Sequence, residues 1–218
     1  MKIKACLFDL DGVIVDTAKY HFIAWRDLAA KLGFEFTQQD NERLKGVSRM
    51  ASLDILLEVG GITLDDETKN KLADEKNRNY VAYIEKMSPD EILPGAKELL
   101  KELKNNGIKI ALGSASKNAM TILNRLDLTS LFDAIIDGTK VNEAKPNPEV
   151  FLKGAQALGV QPSECVVFED AEAGVEAALA GQMKCVGIGS AQNLGKAHLV
   201  VSGLNEMNFE KVNKLSCC

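Results

Sequence analysis

Long apolar runs are missing from this 218-residue chain. None approaches the roughly 20 residues that a bilayer-spanning helix requires, so no membrane segment is expected. A secretory leader is not expected either. Met1-Lys2-Ile3-Lys4 opens like one, but Asp9 and Asp11 interrupt any apolar centre. Paired cysteines are missing too. Of the five, Cys6, Cys165 and Cys185 lie in apolar runs and Cys217-Cys218 form the extreme terminus, which reads as a frayed end. No spacing among them suits a disulfide framework or a zinc site, so reduced core thiols and a cytoplasmic location are expected. There is no basic excess: Lys+Arg number 26 against 31 Asp+Glu, a net charge of −5. That balance argues against non-specific nucleic-acid binding, while still allowing a local basic pocket for a phosphorylated substrate. Internal repeats and low-complexity tracts are absent. So is any long exposed apolar stripe that would call for a partner subunit, and a monomer is expected.

What the chain has is 46% hydrophobic residues, enough for a real core, in a length that suits one large domain or a domain with a moderate insertion. Residues 3–8 form an apolar run that reads as a buried strand. From residue 18 to about 86 the spacing is helical, with no convincing strand. It comprises a helix at 18–32 carrying Phe22, Trp25 and Leu28, a short piece at 40–44, and a helix at 49–59 that Ser48 can cap. A long helix follows from 65 or 66 to 85, with Leu72, Tyr80, Val81 and Ile84 as contacts. From Ile92 onward strands and helices alternate. Pro94-Gly95 opens a helix carrying Leu99, Leu100 and Leu103; strands are predicted at 108–112, 134–136, 165–168 and 184–188, with an edge strand at 199–201. Helices are predicted at 117–126, 148–158 and 174–180. This alternation predicts an α/β fold, a parallel sheet with helices on both faces. The all-helical segment reads as a cap domain inserted after the first strand. Residues 1–15 and 92–218 would form the core, and 16–91 the cap with its linkers.

The first strand ends in Asp9-Leu10-Asp11-Gly12. Two acids at the end of a buried strand are costly unless they hold a metal or perform chemistry. In open α/β sheets ligands bind beyond the carboxyl ends of the strands, so the groups found there are diagnostic. Strand 108–112 delivers Ser114, followed by Ser116. Strand 165–168 delivers Glu169 and Asp170. Lys145 precedes a helix start. Hard oxygen donors such as Asp9, Asp170 and Glu169 suit Mg²⁺, which keeps waters and a substrate phosphate in its shell. Asp9 can attack phosphorus to give an aspartyl-phosphate, with Lys145 and the Ser114 hydroxyl neutralising the equatorial oxygens. Asp11 is placed to act as general acid and base, and Gly12 relieves the tight turn between them.

Asp-Leu-Asp-Gly-Val-Ile-Val-Asp-Thr at 9–17, Ser114, Lys145 and Glu169-Asp170 resemble the four motifs of the haloacid dehalogenase superfamily, in its order and spacing over nearly the whole chain. That resemblance implies a Rossmann-like core with a helical cap. An aspartate at position 11 resembles the phosphatase and phosphomutase branches rather than the dehalogenase and phosphonatase ones. Within the superfamily, His21-Phe22-x-x-Trp25, Leu44-Lys45-Gly46-Val47-Ser48-Arg49, Lys76-Asn77-x-Asn79-Tyr80 and Ser114-Ala115-Ser116-Lys117-Asn118 resemble a hexose phosphomutase branch. Its members interconvert β-D-glucose 1-phosphate and glucose 6-phosphate through β-D-glucose 1,6-bisphosphate. The resemblance implies Asp9 as nucleophile and Asp11 as acid/base. Mg²⁺ would be held by Asp9, the Asp11 carbonyl, Glu169 and Asp170, and the transferring phosphate by Ser114 and Lys145. Arg49, Ser116, Lys117 and Asn118 would take the distal phosphate, with His21, Gly46, Val47 and Lys76 near the sugar. Thr17, where the chain leaves for the cap, would serve as hinge. One departure is Glu143, an acid close to the phosphate lysine.

Blander roles stand beside these. Any single acid at a strand end can begin a turn, Glu169 can merely support Asp170, and Ser116 can cap a helix. Arg49 in a first helical turn is more often solvated, and Trp25 at helical spacing is more often core than sugar contact. A sugar-phosphate phosphatase of the same superfamily is the nearest rival function. A non-catalytic sugar-phosphate binder is the third.

Overall fold

The computed structural model describes residues 2–44 and 48–217, so Gly46 and Val47 lie outside the described residues. The chain divides into two compact units: Thr17–Lys86, and Met1–Asp16 together with Met87–Cys218. Asp16 and residues 87–91, assigned from the sequence to the cap with its linkers, belong to the second of these.

The first unit is all helix: α1 (Ala18–Leu32), α2 (Gln38–Glu42), α3 (Arg49–Val59) and α4 (Asp66–Ile84). Their ends are set by local chemistry. Ser48 accepts a hydrogen bond from the Ala51 N–H at the start of α3, and Asp65 accepts one from Thr68 at the start of α4. α2 starts two residues earlier than the apolar spacing suggests, because Thr37 and Asp40 form a reciprocal capping box. The apolar faces meet in a core of Trp25, Leu28, Phe36, Leu53, Leu56, Leu57 and Leu72. Trp25 is core, as its spacing predicts.

The second unit carries six strands, β1 (Ala5–Phe8), β2 (Lys109–Gly113), β3 (Ala134–Ile136), β4 (Cys165–Glu169), β5 (Lys184–Ile188) and β6 (Leu199–Val201). All pairs are parallel, in the spatial order β3-β2-β1-β4-β5-β6. α5 (Ala96–Asn105), α6 (Ala119–Arg125), α7 (Glu149–Leu158) and α8 (Glu172–Ala180) alternate with the strands. Two further short helices, α9 (Ala191–Leu194) and α10 (Phe209–Lys214), carry too few periodic apolar residues to be seen in the sequence. β1 is buried along its whole length, as a central strand covered on both faces must be. The chain runs from β1 outward through β2 and β3, then returns beside β1 and runs outward through β4, β5 and β6. The reversal of strand order therefore falls between β1 and β4, where such sheets bind ligands. Among the described residues no helix is long and apolar enough to cross a membrane.

Candidate active site

Strand register builds the site. Phe8 and Phe168 are partners across β1 and β4, and their rings stack at 4.5 Å. Leu7 and Val167 point the other way, into the core formed with α7 and α8. Strict alternation then sends Asp9 and Glu169 toward that same side. The Asp9 N–H donates to the Phe168 carbonyl at 3.0 Å, which holds the two carboxylates next to each other.

Lys145 joins them from the loop before α7. Its ammonium donates to Asp9 Oδ1 at 2.6 Å and to Glu169 Oε1. The other Glu169 oxygen accepts from the Ala171 N–H at 3.0 Å. Asp170 completes the group: Asp9, Glu169 and Asp170 each offer an oxygen within 4.8 Å of the others. Three carboxylates share one ammonium here, and the electrostatics register the excess. Burial pushes the Glu169 carboxyl up, against the pull of Lys145. Asp170 is pushed up to about 7 by burial and then by the charges of Asp9, Glu169 and Asp11. Burial would draw Lys145 down, but Asp9 and Glu169 outweigh it and hold the ammonium above its ordinary range. A site with surplus negative charge and hard oxygen donors fits a divalent cation such as Mg²⁺.

Two glycines make this crowding possible. Gly12 turns the chain after Asp9 with φ +73°, and a Cβ there would lie 2.0 Å from Asp170 Oδ2. Gly174, inside α8, faces the Glu169 carboxylate, and a Cβ there would fall 1.9–2.3 Å from its atoms. The sequence marks Gly12 as a turn; nothing in it singles out Gly174, which sits in the first turn of α8 with no spacing to announce a neighbour.

Asp11 sits in the turn closed by the Ile14 N–H to Leu10 carbonyl bond of 2.9 Å, and it is not one of the three clustered acids. Ser114 stands buried at the end of β2, where its hydroxyl accepts from the Ser116 N–H at 3.1 Å and keeps its own hydrogen to donate. Ser116 accepts from the Asn118 N–H at 3.2 Å, so it orders the loop, and Asn118 is the residue before α6. Lys117 is exposed. Gly138, after β3, supports this loop: its N–H donates to the Ser116 carbonyl at 3.2 Å, and a Cβ would meet the Ala115 carbonyl oxygen at 2.1 Å. Next to it, Asp137 is buried and accepts from the Thr139 N–H. The Asp-Gly pair at 137–138 is a turn signal that the sequence reading passed over. Glu143 is exposed, and its N–H donates to Glu149.

The helical unit assembles a cluster of its own. Lys76 on α4 is 3% exposed, 2.8 Å from His21 Nδ1 on α1, with its ammonium over the rings of Trp25 and Tyr80. Burial and the Arg49 charge lower Lys76 to about 7, and burial with the charges of Lys76 and Arg49 lowers His21 to about 3. The lowered value keeps the His21 ring uncharged, with its Nδ1 facing the Lys76 nitrogen. Arg49 donates to Asn77 at 2.8 Å, and the Tyr80 hydroxyl donates to Thr17 at 3.3 Å. Among the described residues no carboxylate pairs with Lys76 or Arg49, so two cations stand together without an anion. Thr17 and His21 at the start of α1, Arg49 on α3 and Lys76 on α4 are brought together here. The aromatic floor of Trp25 and Tyr80 beneath the lysine was not foreseen.

Comparison with known proteins agrees with this geometry. Residues 3–181 match the family described as haloacid dehalogenase-like hydrolase. The chain is 44% identical to the β-phosphoglucomutase of Bacillus subtilis, covering 97% of this chain and 94% of that protein. It is 35% identical to a phosphorylated carbohydrates phosphatase of Thermotoga maritima, covering 96% of each. Among solved structures, β-phosphoglucomutase from Clostridium difficile superposes with a TM-score of 0.90 at 46% identity, covering 99% of this chain and 97% of that one. With its motifs at the carboxyl ends of a six-stranded parallel sheet and matches across almost its full length, this chain belongs to the haloacid dehalogenase-like hydrolase family.

Proposed function

We propose that the protein is a β-phosphoglucomutase, an isomerase that interconverts β-D-glucose 1-phosphate and glucose 6-phosphate. The observation that carries this reading is the constellation of Asp9, Lys145, Glu169 and Asp170 at the strand-order reversal, a nucleophile already beside its cation and its metal donors. The identity to named β-phosphoglucomutases supports the choice of substrate.

In the cycle, Asp9 carries a phosphoryl group. The 6-hydroxyl of β-D-glucose 1-phosphate attacks that phosphorus, the bond to the Asp9 oxygen breaks, and Asp11 takes the hydroxyl proton. The product is β-D-glucose 1,6-bisphosphate. After reorientation Asp9 attacks the 1-phosphate, the phosphorus–O1 bond breaks, and Asp11 returns its proton to O1. Glucose 6-phosphate leaves, and Asp9 is phosphorylated again. Lys145 and the Ser114 hydroxyl stabilise charge on the transferring group, where fixed donors are most effective. Mg²⁺, held by Asp9, Glu169, Asp170 and the Asp11 carbonyl, would add neutralisation of the phosphoryl oxygens. Ser116, Lys117, Asn118 and Arg49 serve the second phosphate, while His21, Lys76, Gly46 and Val47 serve the sugar. Lys76 and Arg49, which no carboxylate among the described residues pairs, support an anionic ligand for the helical unit, which we read as a cap hinged at Thr17. We assign the enzyme to the cytoplasm as a monomer whose partner is a small phosphorylated sugar.

A ³¹P NMR time course with β-glucose 1-phosphate, Mg²⁺ and catalytic bisphosphate tests this reading. Glucose 6-phosphate is the expected product, and Asp9→Asn abolishes it. Free phosphate in stoichiometric yield would replace the mutase reading with a sugar-phosphate phosphatase, the activity named for the Thermotoga maritima relative. Binding without turnover would leave a sugar-phosphate binder.

A further inference from the structure

Asp9 and Glu169 account for two sides of the Lys145 ammonium. A third side is an aromatic face: Lys145 Nζ lies 4.9 Å from the centroid of the Phe151 ring. Phe151 is fully buried in the first turn of α7, and its N–H donates to the Pro148 carbonyl at 3.1 Å. Lys145 lies in the preceding turn, closed by the Asn147 N–H to Ala144 carbonyl bond of 3.0 Å, so the two consecutive turns place the lysine and the ring. The ring belongs to the buried core that also holds Leu7, Ala111 and Val150. Room for it is left by Gly113, the residue before Ser114: a Cβ there would come within 2.8 Å of Phe151 Cδ1 and 2.9 Å of Cε1. An apolar filler alone could be leucine. A ring adds a negatively polarised face, and such a face attracts an ammonium most strongly where water is excluded.

We propose that Phe151 is a positioning residue for phosphoryl transfer, its ring holding the Lys145 ammonium at the Asp9–Glu169 bridge. Lysine is a point charge on a flexible four-carbon stem, so two carboxylate contacts do not by themselves confine it. The ring closes the remaining direction, and the ammonium meets the transferring phosphoryl group in one place. This inference rests on the phosphoryl-transfer reading of the site.

The test is carried out on the full chain with Mg²⁺ present. Phe151 is replaced by mono-, di- and trifluorophenylalanine, which keep nearly the same volume while weakening the negative face of the ring. The mutase kcat is expected to fall in that order, by about 10-fold across the series, with KM for β-glucose 1-phosphate little changed. In parallel, the Lys145 side-chain methylene next to the ammonium, observed in protein with ¹³C-labelled lysine, is expected to show a ring-current shift that Phe151→Leu removes. A flat fluorine series, or a Lys145 methylene signal indifferent to Phe151→Leu, overturns the proposal. If the unmodified protein turns over no sugar phosphate, the functional reading falls. The lysine signal needs no turnover and still decides whether the ring holds the ammonium.

Discussion

Single residues at this site are held in costly states, and the costs are measurable. Asp170 is raised to about 7 by burial and by three neighbouring carboxylates. Its folded form therefore binds a proton more tightly than its unfolded form, whose carboxyl titrates near 4. In metal-free protein this contribution is stabilising at low pH and is lost as pH rises from about 4 to about 7. The effect is muted by the exposed rim of the side chain. Mg²⁺ competes with that proton, so the increase in melting temperature on adding Mg²⁺ is expected to grow as pH is raised from 5.5 toward about 7.5. Calorimetric scans with Mg²⁺ and with chelator across that range check the sign; an increase that shrinks with pH would refute it. Gly174→Ala is expected to push the Glu169 carboxylate from its place, because the added carbon overlaps it. Mg²⁺ affinity measured by titration calorimetry should fall by about 10- to 100-fold, as for other disturbed ligand supports. Asp9 and Asp11 were legible from type and position, since acids at a strand end need a reason. Gly174 and Phe151 were not, because what each side of a helix start faces, Glu169 for the glycine and Lys145 for the ring, depends on how the helix packs against the strand ends.

At the scale of elements, α1, α3 and α4 fold around leucines and Trp25 yet keep Lys76 inside, beside His21 and near Arg49. A buried ammonium without an anion opposes folding, and it is retained where function requires it. Lys76→Met is expected to raise the melting temperature by about 2–4 °C near pH 7, while raising KM for the sugar phosphate. With Lys76 lowered to about 7, the unfolded chain holds the proton between that value and about 10.5, so the native lysine costs less as pH rises. The advantage of the variant should therefore shrink between pH 7 and 10, as thermal scans of both proteins can show. These helices were predictable from apolar spacing and caps. Their mutual arrangement was not, since spacing reveals a buried face but not which polar residues share it. The short helices α9 and α10 escaped for a simpler reason: one or two turns hold too few residues to show a period.

For the whole molecule the question is how a fold shared with phosphatases supports a mutase. Phosphatases need one phosphate site, whereas a mutase must also hold a second phosphate. Arg49→Ala is accordingly expected to lower kcat/KM for mutase turnover by roughly 10- to 100-fold, the range for losing hydrogen bonds to a charged group. Hydrolysis of a small aryl phosphate should change far less. Equal losses in the two assays would remove Arg49 from the second phosphate site.

The sequence alone determined the strand–helix alternation, the helical insertion and the acids, serine and lysine at the strand ends. Each of these is written in local periodicity or in a residue type that is costly at its position. Tertiary structure decided what those residues meet. Parallel register sets Asp9 beside Glu169, the loop before α7 brings Lys145 between them, and α8 offers a glycine where any side chain would collide. Asp9 meets Lys145 across 136 residues of sequence, and even the near pair of Glu169 and Gly174 meets only through the packing of α8 on the end of β4, which no local pattern encodes.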